Sequence, residues 1–147
     1  VDFQFKPITI DFVKQIEAWK YEGDIDDLYM YPYYTSFEET GRLIGPGGCD
    51  GFVAFLDNHL AGIFEFTIHE NYFEIGLALE PSLVGTGIGT EFVNQGIELG
   101  RKHYNSHFDF VRLMVEKKNK AAIRVYEKAG FHTVKEIDGE IEMRKSL

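Results

Sequence analysis

The chain has one cysteine, Cys49, among 147 residues, so no internal disulfide can form and a reducing, cytoplasmic location is expected. The histidines are scattered without ligand spacing, and no metal is expected. No run approaches the ~20 apolar residues of a membrane span, and no signal-peptide pattern opens the chain, so a membrane partner is not expected. Basic residues are also scarce: 15 Lys and Arg stand against 24 Asp and Glu, a net charge of −9. Such a surface repels nucleic-acid phosphates and suits a cationic substrate, while the same charge also serves plain solubility.

What is present is ample material for a core. Hydrophobic residues make up 44% of the chain, which excludes disorder. A length of 147 residues suits one domain, residues 1–147, able to bury about 68–70% of its unfolded surface. With 13 Phe and 8 Tyr there are rings enough for some to line a surface cleft.

The pattern along the chain alternates between the two regular periods. Residues 1–6 predict a strand with Phe3 and Phe5 on one face, ended by Pro7. Thr9 or Asp11 caps a helix carrying Phe12, Ile16 and Trp19. The pattern breaks from Tyr21 to Tyr34, and Ser36 opens a short helix through Arg42. After the turn-rich stretch Gly45–Gly51 come strands at 52–56, 60–69 and 72–80, joined by short polar turns as antiparallel hairpins. A helix from Gly89 to about His103 shows Phe92, Val93, Ile97 and Leu99 on one stripe. A strand at 108–115, a helix at 119–129 stopped by Gly130, and a closing hairpin across Asp138-Gly139 complete the order β α α β β β α β α β β. This is an α+β fold, a mixed, mostly antiparallel twisted sheet flanked by helices.

The segment with the most specific chemistry runs from Phe73 to Leu99. Here Glu74-Ile75-Gly76-Leu77-Ala78-Leu79-Glu80-Pro81 feeds Gly85-Thr86-Gly87-Ile88-Gly89-Thr90 and then a helix. Glycines let the backbone turn tightly beside a ligand, and the helix start offers free N–H groups suited to a pyrophosphate. No Lys follows Gly89, so the Walker pattern fails, and the dinucleotide fingerprint fails at Thr90. About 30 residues later a second helix carries Asn119 and Tyr126 seven apart, two turns, on one side, and ends Gly130-Phe131.

Together these two motifs resemble the GNAT N-acetyltransferase superfamily, over about Gly51 to Met143. The strand–loop pattern is most similar to the ribosomal-protein N-acetyltransferase branch. The resemblance implies acetyl-CoA as co-substrate and direct transfer of its acetyl group to a primary amine, either a small amine or a protein N-terminus. Homodimers are common in the superfamily. A non-catalytic acyl-CoA-binding module is the alternative. Two positions depart from the family pattern: Val84 stands where Gln or Arg is usual, and Thr86 where a base is frequent.

By the same resemblance, the backbones of Leu77 and Leu79 pair with pantetheine between splayed strands. An N–H near Ala78 faces the thioester carbonyl, residues Gly85, Thr86, Gly87, Ile88, Gly89 and Thr90 hold the pyrophosphate, Asn119 contacts the cofactor, and Tyr126 protonates the departing thiolate. Asn119 as a simple helix cap and Tyr126 as a core ring are the plain readings beside these. The general base is expected at Glu74, with Glu65 on the neighbouring strand second, because a carboxyl amid apolar residues has a raised pKa. The acceptor site is expected in the Tyr21–Tyr34 segment, with Tyr21, Glu22, Asp24, Tyr29 and Tyr31 favouring an ammonium group.

Overall fold

The structure, a computed structural model, describes residues 1–23 and 25–147. Its strands are β1 (Gln4–Pro7), β2 (Asp50–Leu56), β3 (His59–Ile68), β4 (Tyr72–Leu79), β5 (Phe110–Glu116), β6 (His132–Ile137) and β7 (Glu140–Ser146). Its helices are α1 (Ile10–Glu17), α2 (Tyr31–Thr40), α3 (Gly89–Tyr104) and α4 (Lys120–Lys128). The strands form one sheet in the order β1-β2-β3-β4-β5-β7-β6, antiparallel except where β4 meets β5. This is the α+β order expected from the sequence.

Strand alternation gives the sheet two different faces. One carries Phe64, Phe66, Phe73, Ile75, Val111 and Leu113 into the larger core, under α3 and α4. Helix α3 lies very close to it. A Cβ at Gly96 would come within 2.1 Å of the Phe64 ring and one at Gly100 within 2.6 Å of Phe66. The other face packs Val53 and Ile63 against Val13 and Ile16 of α1 and the fully buried Tyr33 of α2.

Local signals account for most boundaries. Thr9 caps α1, its hydroxyl accepting from Phe12 N–H at 3.4 Å, while Asp11 falls in the first turn. Trp19 lies just past the helix end rather than on its stripe. The β2–β3 and β6–β7 hairpins turn on left-handed residues: Asp57 and Asn58 (φ 50° and 65°), and Asp138 and Gly139 (φ 51° and 83°). That is the twist such two-residue loops require.

Several boundaries differ from the sequence expectation, among them β1, which begins at Gln4 rather than residue 1 and keeps Pro7, paired with Phe52. Helix α2 begins at Tyr31, not Ser36, because Pro32 sits at its first turn where a missing N–H costs nothing and φ is preset. Strand β2 begins at Asp50, since Asp50 and Gly51 find partners in Phe66 and Glu65 of β3. Strand β5 begins at Phe110 rather than 108, after Phe108 has been spent as a core ring against Phe73.

Candidate active site

Strands β4 and β5 run parallel but pair only at Tyr72–Phe110, Phe73–Val111 and Glu74–Arg112. Beyond Glu74 they diverge. The ladder between β3 and β4 continues, and its hydrogen bonds fix where the remaining backbone groups of β4 point. His69 N–H donates to Tyr72 O at 2.9 Å and Glu80 N–H to Ala61 O at 2.7 Å. With Glu65 opposite Gly76 between them, alternation turns the N–H and C=O of Ile75, Leu77 and Leu79 away from β3. Leu77 therefore presents a backbone donor and acceptor to the divergent gap, and Leu79 its N–H, its C=O already accepting from the Tyr21 hydroxyl. Ala78 presents its side chain to the cleft, while its own N–H belongs to the β3 ladder.

The gap opens into a cleft of about 250 Å³ walled by Ile75, Gly76, Leu77 and Ala78 on one side and by Leu113, Met114 and Tyr126 on the other. Leu28, Tyr29, Met30 and Pro46 close it on the side of α2. Among the described residues, the only carboxylate lining it is Glu65. Tyr126 comes from α4, its ring edge-on to Phe131 at 6.0 Å between centroids. Burial pushes the Tyr126 phenol up to about 12, and its hydroxyl makes no hydrogen bond to another described residue.

Glu65 sits in a built polar notch. Its Oε2 accepts from the Tyr33 hydroxyl at 2.5 Å, and the Cys49 thiol lies 3.8 Å from the same hydroxyl. Burial pushes the Glu65 carboxyl above the usual range, and the Tyr33 and Cys49 hydrogen bonds partly oppose that. Burial, with the nearby Glu65 charge, holds the Cys49 thiol up at about 12, so it is a protonated, inert thiol.

Glu74 stands elsewhere. It lies at the closed end of the divergence, where Arg112 bridges it to Glu142, and it does not line the cleft. Glu142 is 2% exposed and also accepts from Arg144 Nε at 2.6 Å. Burial raises its carboxyl, but hydrogen bonds from Arg144 and Arg112 outweigh that and hold it below the ordinary value.

The glycine loop follows β4 at the mouth of the gap. Gly85 and Gly87 have φ of 78° and 90°, with open space where a Cβ would sit. Thr86 Oγ1 donates to Leu83 O at 2.6 Å, which folds the loop back on itself and leaves no side-chain charge there. Ile88 precedes α3 with no side-chain cap, so the first-turn N–H groups of Gly89 and Thr90 remain available to an anion. Val84 is exposed. Val125 of α4 packs 3.2 Å from the Cβ position of Gly89, tying the Tyr126 helix to the loop. Asn119 caps α4, its Oδ1 accepting from Ala122 N–H at 3.2 Å.

Of the expected acceptor residues, Tyr29 lines the cleft. The Tyr21 hydroxyl donates to Leu79 O at 2.6 Å, fastening the segment before α2 to the end of β4. Glu22 is exposed, Tyr31 is an exposed first residue of α2, and Asp24 lies outside the described residues. Among the described residues no group of three His, Cys, Asp or Glu is placed to hold a metal, and no helix is long and apolar enough to cross a membrane. Sequence reasoning missed Tyr33 and the glycines that flank Glu65. Gly76 was readable from the Glu70-Asn71 turn, which sets the register; Tyr33 arrives by tertiary packing and left no local signal.

The chain is similar to known proteins in sequence and in fold. An uncharacterized N-acetyltransferase of Methanocaldococcus jannaschii is 31% identical over 97 residues. That stretch is 66% of this chain but 40% of the relative, so the match spans less than half of that protein. Among solved structures, a chimera of the spermidine N-acetyltransferase SpeG from Vibrio cholerae and hSSAT superposes with a TM-score of 0.76 at 18% identity, covering 98% of this chain and 95% of that one. The Campylobacter jejuni N-acetyltransferase PseH, in complex with acetyl coenzyme A, gives 0.73 at 18% identity, with 98% of each chain covered. At these identities the likeness is one of fold. The model of the Acetyltransferase (GNAT) family matches residues 10–131, from the first turn of α1 to Phe131 beyond α4 and so across the whole cleft, and the chain belongs to that family.

Proposed function

We propose that this protein moves the acetyl group of acetyl-CoA to a primary amine by direct transfer, with Glu65 as general base and Tyr126 as general acid. The observation that carries the reading is that one cleft is lined by the half-buried Glu65 and the half-buried Tyr126, beside β4 backbone turned away from β3. The backbone of Leu77 and Leu79 is suited to pairing with the pantetheine amides. The N–H of Leu77, rather than that of Ala78, is the free donor for the thioester oxygen as negative charge gathers there. The turn at Gly85–Gly89, with Thr90 in the first turn of α3, suits the pyrophosphate. Asn119 supports the site by starting the helix that carries Tyr126.

The acceptor amine must lose a proton before its lone pair can attack, since a lysine-like amine has a reference pKa of about 10.4. Glu65 takes that proton, its carboxyl made a better proton acceptor by burial. The C–N bond forms, the C–S bond breaks, and the Tyr126 hydroxyl supplies the proton to the sulfur. Solvent in the cleft then carries the proton from Glu65 back to Tyr126. Glu74, ion-paired with Arg112, is left a structural role in this reading.

The acceptor enters between Tyr29 and Pro46. The exposed acids Glu22 and Asp26 of the segment before α2 and the exposed Tyr29 ring favour a cation, so a small polycationic amine is the leading acceptor and a protein N-terminus the second. The test is thiol release from acetyl-CoA across a panel of polyamines, aminoglycosides and N-terminal peptides. Release with one class and acetylated product by mass supports the reading. Calorimetric binding of acetyl-CoA with no release from any amine would replace it with the binding-module reading, which the uncharged Val84 and Thr86 also permit.

A further inference from the structure

Two glycines crowd the Tyr33 hydroxyl, and a third lies against the carboxylate it bonds. A Cβ at Gly51 would come within 2.4 Å of the Tyr33 oxygen, and one at Gly45 within 2.6 Å of it and 2.7 Å of Cys49 Sγ. On the far side of Glu65, a Cβ at Gly76 would meet its Oε1 at 3.4 Å. Gly51, Glu65 and Gly76 are register partners on β2, β3 and β4, so the carboxyl lies in a trough running across three strands. Glycine in strand interiors is destabilising, and here it is used at the two positions flanking one acid. The space it clears is filled by the Tyr33 hydroxyl, on a residue with no solvent exposure.

We infer that Tyr33 is a positioning residue for the transfer: it holds the Glu65 carboxylate toward the cleft and sets how readily that carboxylate takes a proton. The inference rests on the proposed role of Glu65 as base. Tyr33 is sealed on the inner face of α2 and cannot touch an acceptor. Its O–H is a donor to the charged form of Glu65, and a donated bond favours that form. Other groups facing Glu65 are few. Cys49 approaches from the turn before β2, β2 and β4 offer only glycine, and Tyr126 and Tyr29 stand across the cleft. Tyr33 is therefore the principal support of the carboxylate. It also belongs to the helix whose N-terminal flank, Tyr29 and Met30, walls the cleft, so one hydrogen bond ties the base to the acceptor wall.

The experiment is Tyr33→Phe in the full chain, read in two ways. One is the pH dependence of kcat/KM with the best amine of the panel. The other is the infrared titration of the Glu65 carboxyl, identified by difference from Glu65→Gln. Loss of the donor moves both the acidic limb and the titration to higher pH, by about one unit, with KM within a few-fold of the parent. Should Tyr33→Phe unfold, 3-fluorotyrosine at position 33 keeps the ring and makes a stronger donor, and both midpoints then move to lower pH. An unmoved infrared midpoint overturns the inference and makes Tyr33 a core residue. A moved infrared midpoint with an unmoved kinetic limb also overturns it as a device of the reaction, and identifies the failing step as the assignment of Glu65 as base.

Discussion

Replacing Glu65 with glutamine removes a proton acceptor and keeps nearly all else, because the amide is the same size and its oxygen can still accept from Tyr33. At about pH 7, an amine of pKa about 10.4 is neutral in roughly one molecule in 2,500, and without a base the reaction draws on that fraction alone. Turnover of Glu65→Gln is expected to fall roughly 10²–10⁴-fold near neutrality. The deficit should shrink about tenfold per pH unit as the amine deprotonates, recovering about 100-fold between about pH 7 and 9. The assay is thiol release against pH, with Glu74→Gln as the paired control; that change loosens the ion pair to Arg112 but should keep the parental profile. Stability supplies a second reading with its own sign. A carboxyl whose folded pKa is raised contributes stability fully present below its unfolded value, near 4.5, and lost as pH rises through the folded one. Glu65→Gln should therefore gain stability relative to the parent as pH climbs above the unfolded carboxyl value, measured by urea unfolding. Parental turnover with a parental pH profile in Glu65→Gln would refute the reasoning.

Tyr126→Phe removes a hydroxyl that bonds to no other described residue, so packing is kept while turnover drops about tenfold, or about 1.4 kcal/mol, with acetyl-CoA affinity within a few-fold. Parental turnover would make Tyr126 a core ring and leave the acid to water. Gly87→Val places a β-branched residue at a φ of 90°, in a loop where nothing within the chain lies near the new Cβ. Acetyl-CoA affinity measured by calorimetry should weaken about tenfold or more with the fold intact, and unchanged affinity would remove the loop from the pyrophosphate site.

The element order was legible because its signals are local. Asp57-Asn58 and Asp138-Gly139 announce their hairpins, Gly130 announces the end of α4, and the stripe of α3 matches its buried face. The start of α2 was not, since a run of tyrosines and acids has no stripe and only Pro32 marks the first turn. The choice between Glu65 and Glu74 shows a subtler limit. Both lie on the same face of neighbouring strands, and alternation treats them alike. What separates them is where β4 leaves β5: Glu74 is still paired and meets Arg112, while Gly76, opposite Glu65, is already beyond the parting. No short stretch of sequence encodes that point, because it is set by the crossover through α3. Tyr33 was invisible for a related reason: its partner is 32 residues away on another element.

The short seam between β4 and β5 has a consequence for solvent exchange. Mechanically the sheet is two plates, β1–β4 and β5–β7–β6, stitched at three residue pairs and stapled by Arg112. The amides of Leu77 and Leu79 point across the unstitched part, so they should trade their hydrogens for deuterium quickly while those of Gly76 and Ala78, held by β3, are slow. A substrate that lies along the seam bonds those two amides and bridges the plates. Acetyl-CoA at about 100 times its Kd should then slow their exchange and stabilise the whole chain by about 2.7 kcal/mol. Equal exchange at Leu77 and Leu79 with and without acetyl-CoA would mean that the seam stays open when the substrate binds.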